Sequence, residues 1–504
     1  MKQVSIDPIT RIEGHLKIEL DIDSGLVKSA QSSGTLFRGL EEMLRGRDPR
    51  DAQRITQRVC GVCPAAHAIA SAQALDDTFG IQRKIPPNGR LERNLMLGGN
   101  FIHSHVLHFY HLSALDYLNP HDLEGLELED VKIRDLQSYL KSSDGAPFTP
   151  EYSGDYRLGN GISAALAGDY LEALDVRKKA HQMVSIFGGK MPHNMGTVAG
   201  GTTRKPDIDS ITKFTSRLEE IKEFVEDRYI PGVIEVARTY DDYFEMGKGV
   251  PNFIEYGGFY LKEFGGSHSS TSKGLKGGVV SEDGNSVREV DLSRITEVIE
   301  HSWYGDEARG HPTETKTTPA VNKEGGYSWV KAPRYKGKPH EVGPAARMKI
   351  NYLKGNDLVE RELGNAMKEA GVELDQLNSV MGRHLCRAVE CKCIVSMMEG
   401  WVEKLEPGEP SCANYEVPEE GKGVGLASAP RGTLGHWIKI ENSRISNYQL
   451  VVPTTWNASP RDEQGTPGPM EQALIGTEID DPDNPLEAAR IVRSFDPCMA
   501  CAVH

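Results

Sequence analysis

Only 8 of the 504 residues are cysteine, far below the density at which disulfides scaffold a fold. No apolar run approaches the ~18 residues that cross a bilayer, so a direct membrane span is not expected. The opening residues MKQVSIDPIT carry no apolar stretch of signal-peptide type. Read alone, the chain is expected to be cytoplasmic, and if it works elsewhere another protein has to carry it. Positive charge is also short: 58 Lys and Arg stand against 73 Asp and Glu, a net −15 with no basic stripe, which argues against a nucleic-acid partner. No fixed-period repeat, low-complexity tract or obvious linker divides the chain. One large domain over residues 1–504 is therefore expected, with 38% hydrophobic residues available for its core.

Apolar and polar residues alternate over 1–30, predicting a hairpin with a turn at DSG. The pattern is helical from about 50 to 80, with RVCGVCP at a helix end or break. Residues 88–118 make the longest helix candidate, followed by 162–188, 206–247 and about 373–404. Four such helices predict a central bundle. Residues 250–345 are rich in Gly, Ser and Pro, and 432–453 predicts a second hairpin turning at ENS. The expected class is α+β, mainly helical: a long-helix bundle with small peripheral sheets.

The cysteines carry the chemistry. RVCGVCPAAH holds Cys60, Cys63 and His67, and the last residues SFDPCMACAVH hold Cys498, Cys501 and His504. Two CxxC pairs supply four soft thiolates, a complete tetrahedral donor set. Structural zinc is the common use of such pairs, but its pairs ordinarily lie about 15–20 residues apart. Here nearly the whole chain lies between them, so the site joins the two chain ends. Spacing alone leaves both zinc and a redox metal open. Cys386, Cys391 and Cys393 fall on one predicted helix, 386 and 393 on a shared face, and read as core cysteines; Cys412, in a Gly/Pro loop, reads the same way.

RxCGVCxxxH early and DPCxxCxxH at the end resemble the large subunit of nickel-iron hydrogenases. The resemblance runs through DPITRIEGHLKIE (7–19), LFRGLEEMLRGRDPRDAQ (36–53), HSHVLHFYHLSALD (103–116), KAPRYKGKPHEVGPAAR (331–347), SAPRGTLGHW (428–437), NYQLVVPTTWN (447–457) and EQALIGT (471–477). It implies a nickel-iron centre bound by all four cysteines, with Cys63 and Cys501 bridging and Cys60 and Cys498 terminal on nickel. The iron carries carbon monoxide and cyanide, and the reaction is reversible splitting of H2. A redox-capable metal pair suits that reaction, and zinc does not.

The same resemblance gives further residues their expected roles. Cys498 is the base and Glu13 the relay carboxylate beside it. Arg431 stands over the site, paired with Asp496, and Pro430 forms a donor-free wall. Thr454 donates to a cyanide, and His67 supports a bridging cysteine. Glu41, the Leu450 carbonyl and His504 match a magnesium (or iron) site, and a chain ending at His504 looks like a matured form.

Two features depart from most of the family. Ser104 stands where many members have an aspartate. That residue and the ending ACAVH are similar to the nickel-iron-selenium subclass, in which position 498 is selenocysteine; cysteine is the reading adopted here. With no spare cysteine set for iron–sulfur clusters, an iron–sulfur small subunit is the expected partner. Exported members travel with that subunit, so a periplasmic or membrane-associated location stays open beside the cytoplasmic one. The competing readings are an H2-sensing regulatory subunit, the related NADH:quinone oxidoreductase subunit, which lacks the metal cysteines, and a zinc-stapled structural protein.

Overall fold

The computed structural model describes residues 1–123, 131–142, 154–261, 273–280, 284 and 286–504. Its helices include α1 (Pro64–Thr78), α2 (Pro87–Val106), α3 (Asn160–Gly188), α4 (Ile208–Phe224), α5 (Ile230–Thr239), α6 (Pro344–Leu353), α7 (Asp357–Ala370), α8 (Val380–Val402), α9 (Leu486–Ser494) and the short terminal α10 (Met499–Ala502). Of the four expected long helices, α3 and α8 are continuous. The 88–118 candidate is helical only to Val106, then widens into a π-helical stretch, Leu107–Ser113, so α3 is the longest helix. A second π-helical stretch, Val225–Tyr229, divides 206–247. Helix α2 lies between α3 and α8. Gly98 and Gly99 permit this, because added Cβ atoms would stand 2.4 Å from Met398 Sδ and 3.0 Å from a Val184 methyl.

Among the described residues are three three-stranded antiparallel sheets and three two-stranded ones, and two of the three-stranded sheets carry the segments that lead into the site. The first is β1 (Lys2–Ile6), β2 (Leu16–Asp23) and β3 (Leu26–Gly34). The hairpin expected over 1–30 is thus β2–β3, with one more strand. The second is β4 (Gly421–Ala429), β5 (Gly432–Glu441) and β6 (Arg444–Val451). Its β5–β6 turn uses Asn442 and Ser443 at φ 53° and 55°, the left-handed conformation that suits a tight hairpin.

Strand β4 lies against α1 so closely that its alternate glycines are obligatory. A Cβ on Gly425 would fall 1.8 Å from the Ala70 carbonyl oxygen, and one on Gly423 2.4 Å from that of Ala74. This contact fixes α1, whose N-cap is Cys63. Gly425→Ala is expected to destabilise the protein by about 3 kcal/mol, the upper end of overpacking costs, since backbone has to move. Thermal melting of the complex measures it.

The chain ends meet as expected. Glu13 and Cys498 form a parallel bridge: the Glu13 N–H donates to Pro497 O at 3.3 Å and the Met499 N–H to Glu13 O at 2.8 Å. Gly14 follows at φ +83°, where a Cβ would lie 2.9 Å from Met499 Cβ. The main hydrophobic cluster runs from Val4 to Val503 and takes in all four CxxC cysteines. Among the described residues, no helix is long and apolar enough to cross a membrane.

Candidate metal centre

The four sulfurs of Cys60, Cys63, Cys498 and Cys501 lie within 4.8 Å of one another, all buried. Cys60–Cys498 is 3.3 Å, Cys63–Cys501 3.4 Å and Cys498–Cys501 3.0 Å, yet none is in a disulfide. Each pair sits where a helix begins. Cys60 precedes a break and Cys63 caps α1, while Cys498 caps α10 and Cys501 lies within it. The Val62 and Cys63 amides point at Cys60 Sγ, 3.2 and 3.4 Å away. Hydrogen bonds from the neighbouring cysteines hold the Cys60 thiol well below its ordinary value, whereas burial pushes Cys498 and Cys501 up. Four convergent, buried sulfurs outside any disulfide form the donor set a soft metal takes.

Glu13, half-buried, is the acid nearest this cluster in the bonding pattern. Cys498 Sγ lies 3.1 Å from its Oε2, which also accepts the Ala500 N–H at 3.0 Å. Burial and then the Cys60 charge raise the Glu13 pKa above its ordinary 4.5, against the lowering effect of the Cys498 bond. Arg431 is buried with two bonds to Asp496, Nε to the backbone oxygen and Nη2 to Oδ1, each 2.8 Å. Its Nη1 donates to Ser104 Oγ at 3.3 Å. Thr454 Oγ1 accepts the Cys498 N–H at 3.0 Å, so its own proton is free for another acceptor. His67 is buried with Nδ1 3.2 Å from His436 Nε2, and His436 Nδ1 is 2.8 Å from the Tyr448 hydroxyl. Burial lowers the His67 pKa to about 4, so it is neutral at pH 7.

A second polar cluster surrounds Glu41 and His504. Glu41 Oε1 accepts the Leu450 N–H at 2.7 Å and lies 3.3 Å from His504 Nε2; Oε2 accepts from Thr317 and lies 3.4 Å from Lys331 Nζ. Burial pushes the Glu41 carboxyl up, but Lys331 and His504 bring it down to about 2. His504 Nδ1 donates to the Cys501 carbonyl at 2.7 Å, since a carbonyl can only accept. Its Nε2 is buried and has no hydrogen-bond partner. On a strand the N–H and C=O of one residue face the same side, so the Leu450 carbonyl points to the same strand edge as its N–H. A buried imidazole nitrogen without a hydrogen-bond partner, beside a carboxylate held ionised, suits a cation.

Sequence reasoning missed Lys331, which also lies 3.3 Å from the buried Glu297. It missed Arg38 too, which ties both cysteine segments through Arg58 O at 3.0 Å, Ala500 O at 3.2 Å and Val59 O. Both residues stand inside the quoted motifs, in KAPRY and FRGLEE, and a buried or backbone-bonding role for a motif cation was the available signal. Cys386, Cys391 and Cys393 are all buried, and burial pushes their thiols up, so Cys391 also belongs to the core. Cys412 does not: it is exposed, its sulfur 3.6 Å from the Ala199 carbonyl, because loop 411–413 lies across residues 200–202 at the surface.

A family model described as nickel-dependent hydrogenase matches residues 38–128 and 122–504, and a HoxL-like model matches 3–33. The chain belongs to the nickel-dependent hydrogenase family. Over its full length this hydrogenase chain is 41% identical to the periplasmic NiFeSe hydrogenase large subunit of Desulfomicrobium baculatum, covering 95% of that protein. It is 34% identical to the hydrogenase-2 large chain of Escherichia coli K12, covering 97%. The NiFeSe hydrogenase structure from D. vulgaris Hildenborough superposes with a TM-score of 0.88 at 40% identity, all of each chain being covered. The chain is thus a nickel-dependent hydrogenase large subunit with the family's mixed α+β fold and a four-cysteine cluster.

Proposed function

We propose that this hydrogenase chain, acting as one unit over residues 1–504, splits H2 reversibly into two protons and two electrons at a nickel–iron pair held by Cys60, Cys63, Cys498 and Cys501. The observation that carries the reading is the Glu13 carboxylate 3.1 Å from the sulfur of Cys498 within the four-sulfur cluster. When bound, the pair, its iron carrying carbon monoxide and cyanide, supplies the redox-active Lewis acidity that polarises H2. The protein does the rest. Cys498 Sγ takes the proton and passes it to Glu13 Oε2, which the Ala500 N–H holds in line. Burial brings that carboxylate's pKa up toward the working range of a base. Arg431, oriented by Asp496, and the free Thr454 hydroxyl proton are donors for the diatomic ligands, while Pro430 offers no donor. His67 stays neutral and supports the cysteine side.

Glu41, the Leu450 carbonyl and His504 hold a magnesium ion (or iron) that pins the terminus. Oxygen-rich sites that keep waters suit magnesium. Glu41→Gln is expected to weaken magnesium retention roughly tenfold or more, measured as magnesium per subunit after dialysis. Electrons leave to an iron–sulfur small subunit, and the periplasmic relative supports export with that partner. A sensor role has no observation in its favour.

The test is nickel, iron, zinc and selenium per large subunit in the co-purified complex, together with H2-dependent dye reduction. One nickel without zinc, iron beyond the partner's clusters and rapid turnover are expected. Stoichiometric zinc with no nickel would leave a staple, and nickel without turnover would leave a sensor. Selenium above the methionine background would make position 498 selenocysteine.

A further inference from the structure

Arg431 stands at the tip of the β4–β5 hairpin, a two-residue turn of Pro430 and Arg431 between the paired Ala429 and Gly432. Loop tips are ordinarily the loosest part of a fold, yet this one is buried. Its guanidinium has a charged partner on one side only, Asp496. On the other side it reaches a neutral hydroxyl, Ser104 Oγ, at 3.3 Å, a weaker bond than one to a carboxylate. These bonds hold the head of the side chain; the backbone of the tip is held from below.

Beneath the tip lies a triad of charges at 0% exposure: Glu255, Arg347 and Glu390. Arg347 Nη1 donates to Glu255 Oε2 at 3.0 Å, Nε to Glu390 Oε1, and Nη2 to Glu390 Oε2 at 3.0 Å. The same Nη2 donates to the Pro430 carbonyl at 2.9 Å, directly before Arg431. Glu255 Oε1 accepts the Ser428 hydroxyl at 2.8 Å, so the strand leading into the tip is held as well. Glu390 Oε2 also faces His105 Nε2 at 2.9 Å, and His105 follows Ser104 in α2. The contacts close on themselves: Arg431, Ser104, His105, Glu390, Arg347, Pro430 and back to Arg431.

Buried ion groups of this kind contribute little net stability, because desolvation offsets the attraction; fixing one conformation is their better-attested use. Among the described residues neither glutamate bonds the four metal-site cysteines, and the group connects to the centre through the 428–431 turn and Ser104. We propose that Arg347, clamped by Glu255 and Glu390, is a positioning residue: by holding the Pro430 carbonyl it fixes the hairpin tip, and so sets where the Arg431 guanidinium, bonded to Asp496 and Ser104, stands over the four cysteines. This rests on the hydrogenase reading.

The test uses the co-purified two-subunit complex carrying Arg347→Lys, which keeps the charge and loses the fork, or Ser428→Ala, which removes one bond to Glu255. Nickel and iron content, kcat and KM for H2, and the infrared bands of the iron's cyanide ligands are measured. Arg347→Lys is expected to keep its metals, lose on the order of 100-fold in kcat, leave KM nearly unchanged and displace the cyanide bands. Ser428→Ala should shift the bands less, in the same direction. Unmoved bands and kcat in both variants, even with a lower melting temperature, would overturn the assignment. So would the same result in Ser428→Ala alone if Arg347→Lys fails to load metal. Absence of nickel and of diatomic bands from the wild-type complex would instead sink the hydrogenase reading, and this assignment with it.

Discussion

Replacing Glu13 by Gln is expected to lower H2-dependent dye reduction by about 10²–10⁴-fold, the contribution of a positioned proton acceptor, with nickel and iron still bound. Gln keeps the size of the side chain, and its amide oxygen can still accept the Ala500 N–H that now bonds Glu13 Oε2. What it loses is the capacity to take a proton from the sulfur 3.1 Å away. Glu13→Asp separates charge from reach. Its carboxylate is one methylene short of a position that meets both Cys498 Sγ and the Ala500 amide, so an intermediate rate is expected. Equal rates in wild type and Glu13→Gln, measured on complexes with matched nickel content, would remove Glu13 from the proton path.

The second large effect is at Cys501. Cys501→Ser is expected to yield a subunit without nickel, with dye reduction at background. A serine hydroxyl stays protonated where a thiol can ionise, and only a deprotonated sulfur is a good soft-metal ligand. Cys501 is 3.4 Å from Cys63 and 3.0 Å from Cys498, so losing it breaks the donor set at its middle. The terminus loses its pin too. Metal-binding free energy at a site built from distant segments is folding free energy, so the variant is expected to melt at lower temperature and to expose residues 498–504 to carboxypeptidase. Full nickel occupancy in Cys501→Ser would refute the four-cysteine centre.

Periodicity reached the parts of this fold that depend on near neighbours. Helices α3 and α8 and the β5–β6 turn at Asn442 and Ser443 follow from local pattern and turn chemistry. Strand β4 did not, because GKGVGLASA looks like a loop. Its glycines are there to admit α1, and that need arises only once the helix is packed on it. The π-helical stretch at Leu107–Ser113 was equally hidden, since its heptapeptide keeps the apolar pattern of an ordinary helix.

By itself the sequence determined the chemistry: two CxxC pairs at opposite ends, the soft donor set they make, and the ordered motifs of a nickel-dependent hydrogenase large subunit. These are statements about residue type and order, which need no coordinates. Tertiary structure alone decided which groups meet. It left His504 Nε2 buried without a hydrogen-bond partner near Glu41, set Lys331 between two buried glutamates, exposed Cys412 while burying Cys386, and tied Arg431 to Glu390 through two routes. The partners in those contacts stand tens to hundreds of residues apart. Local periodicity carries no record of such pairings, which exist only once helices and strands have packed.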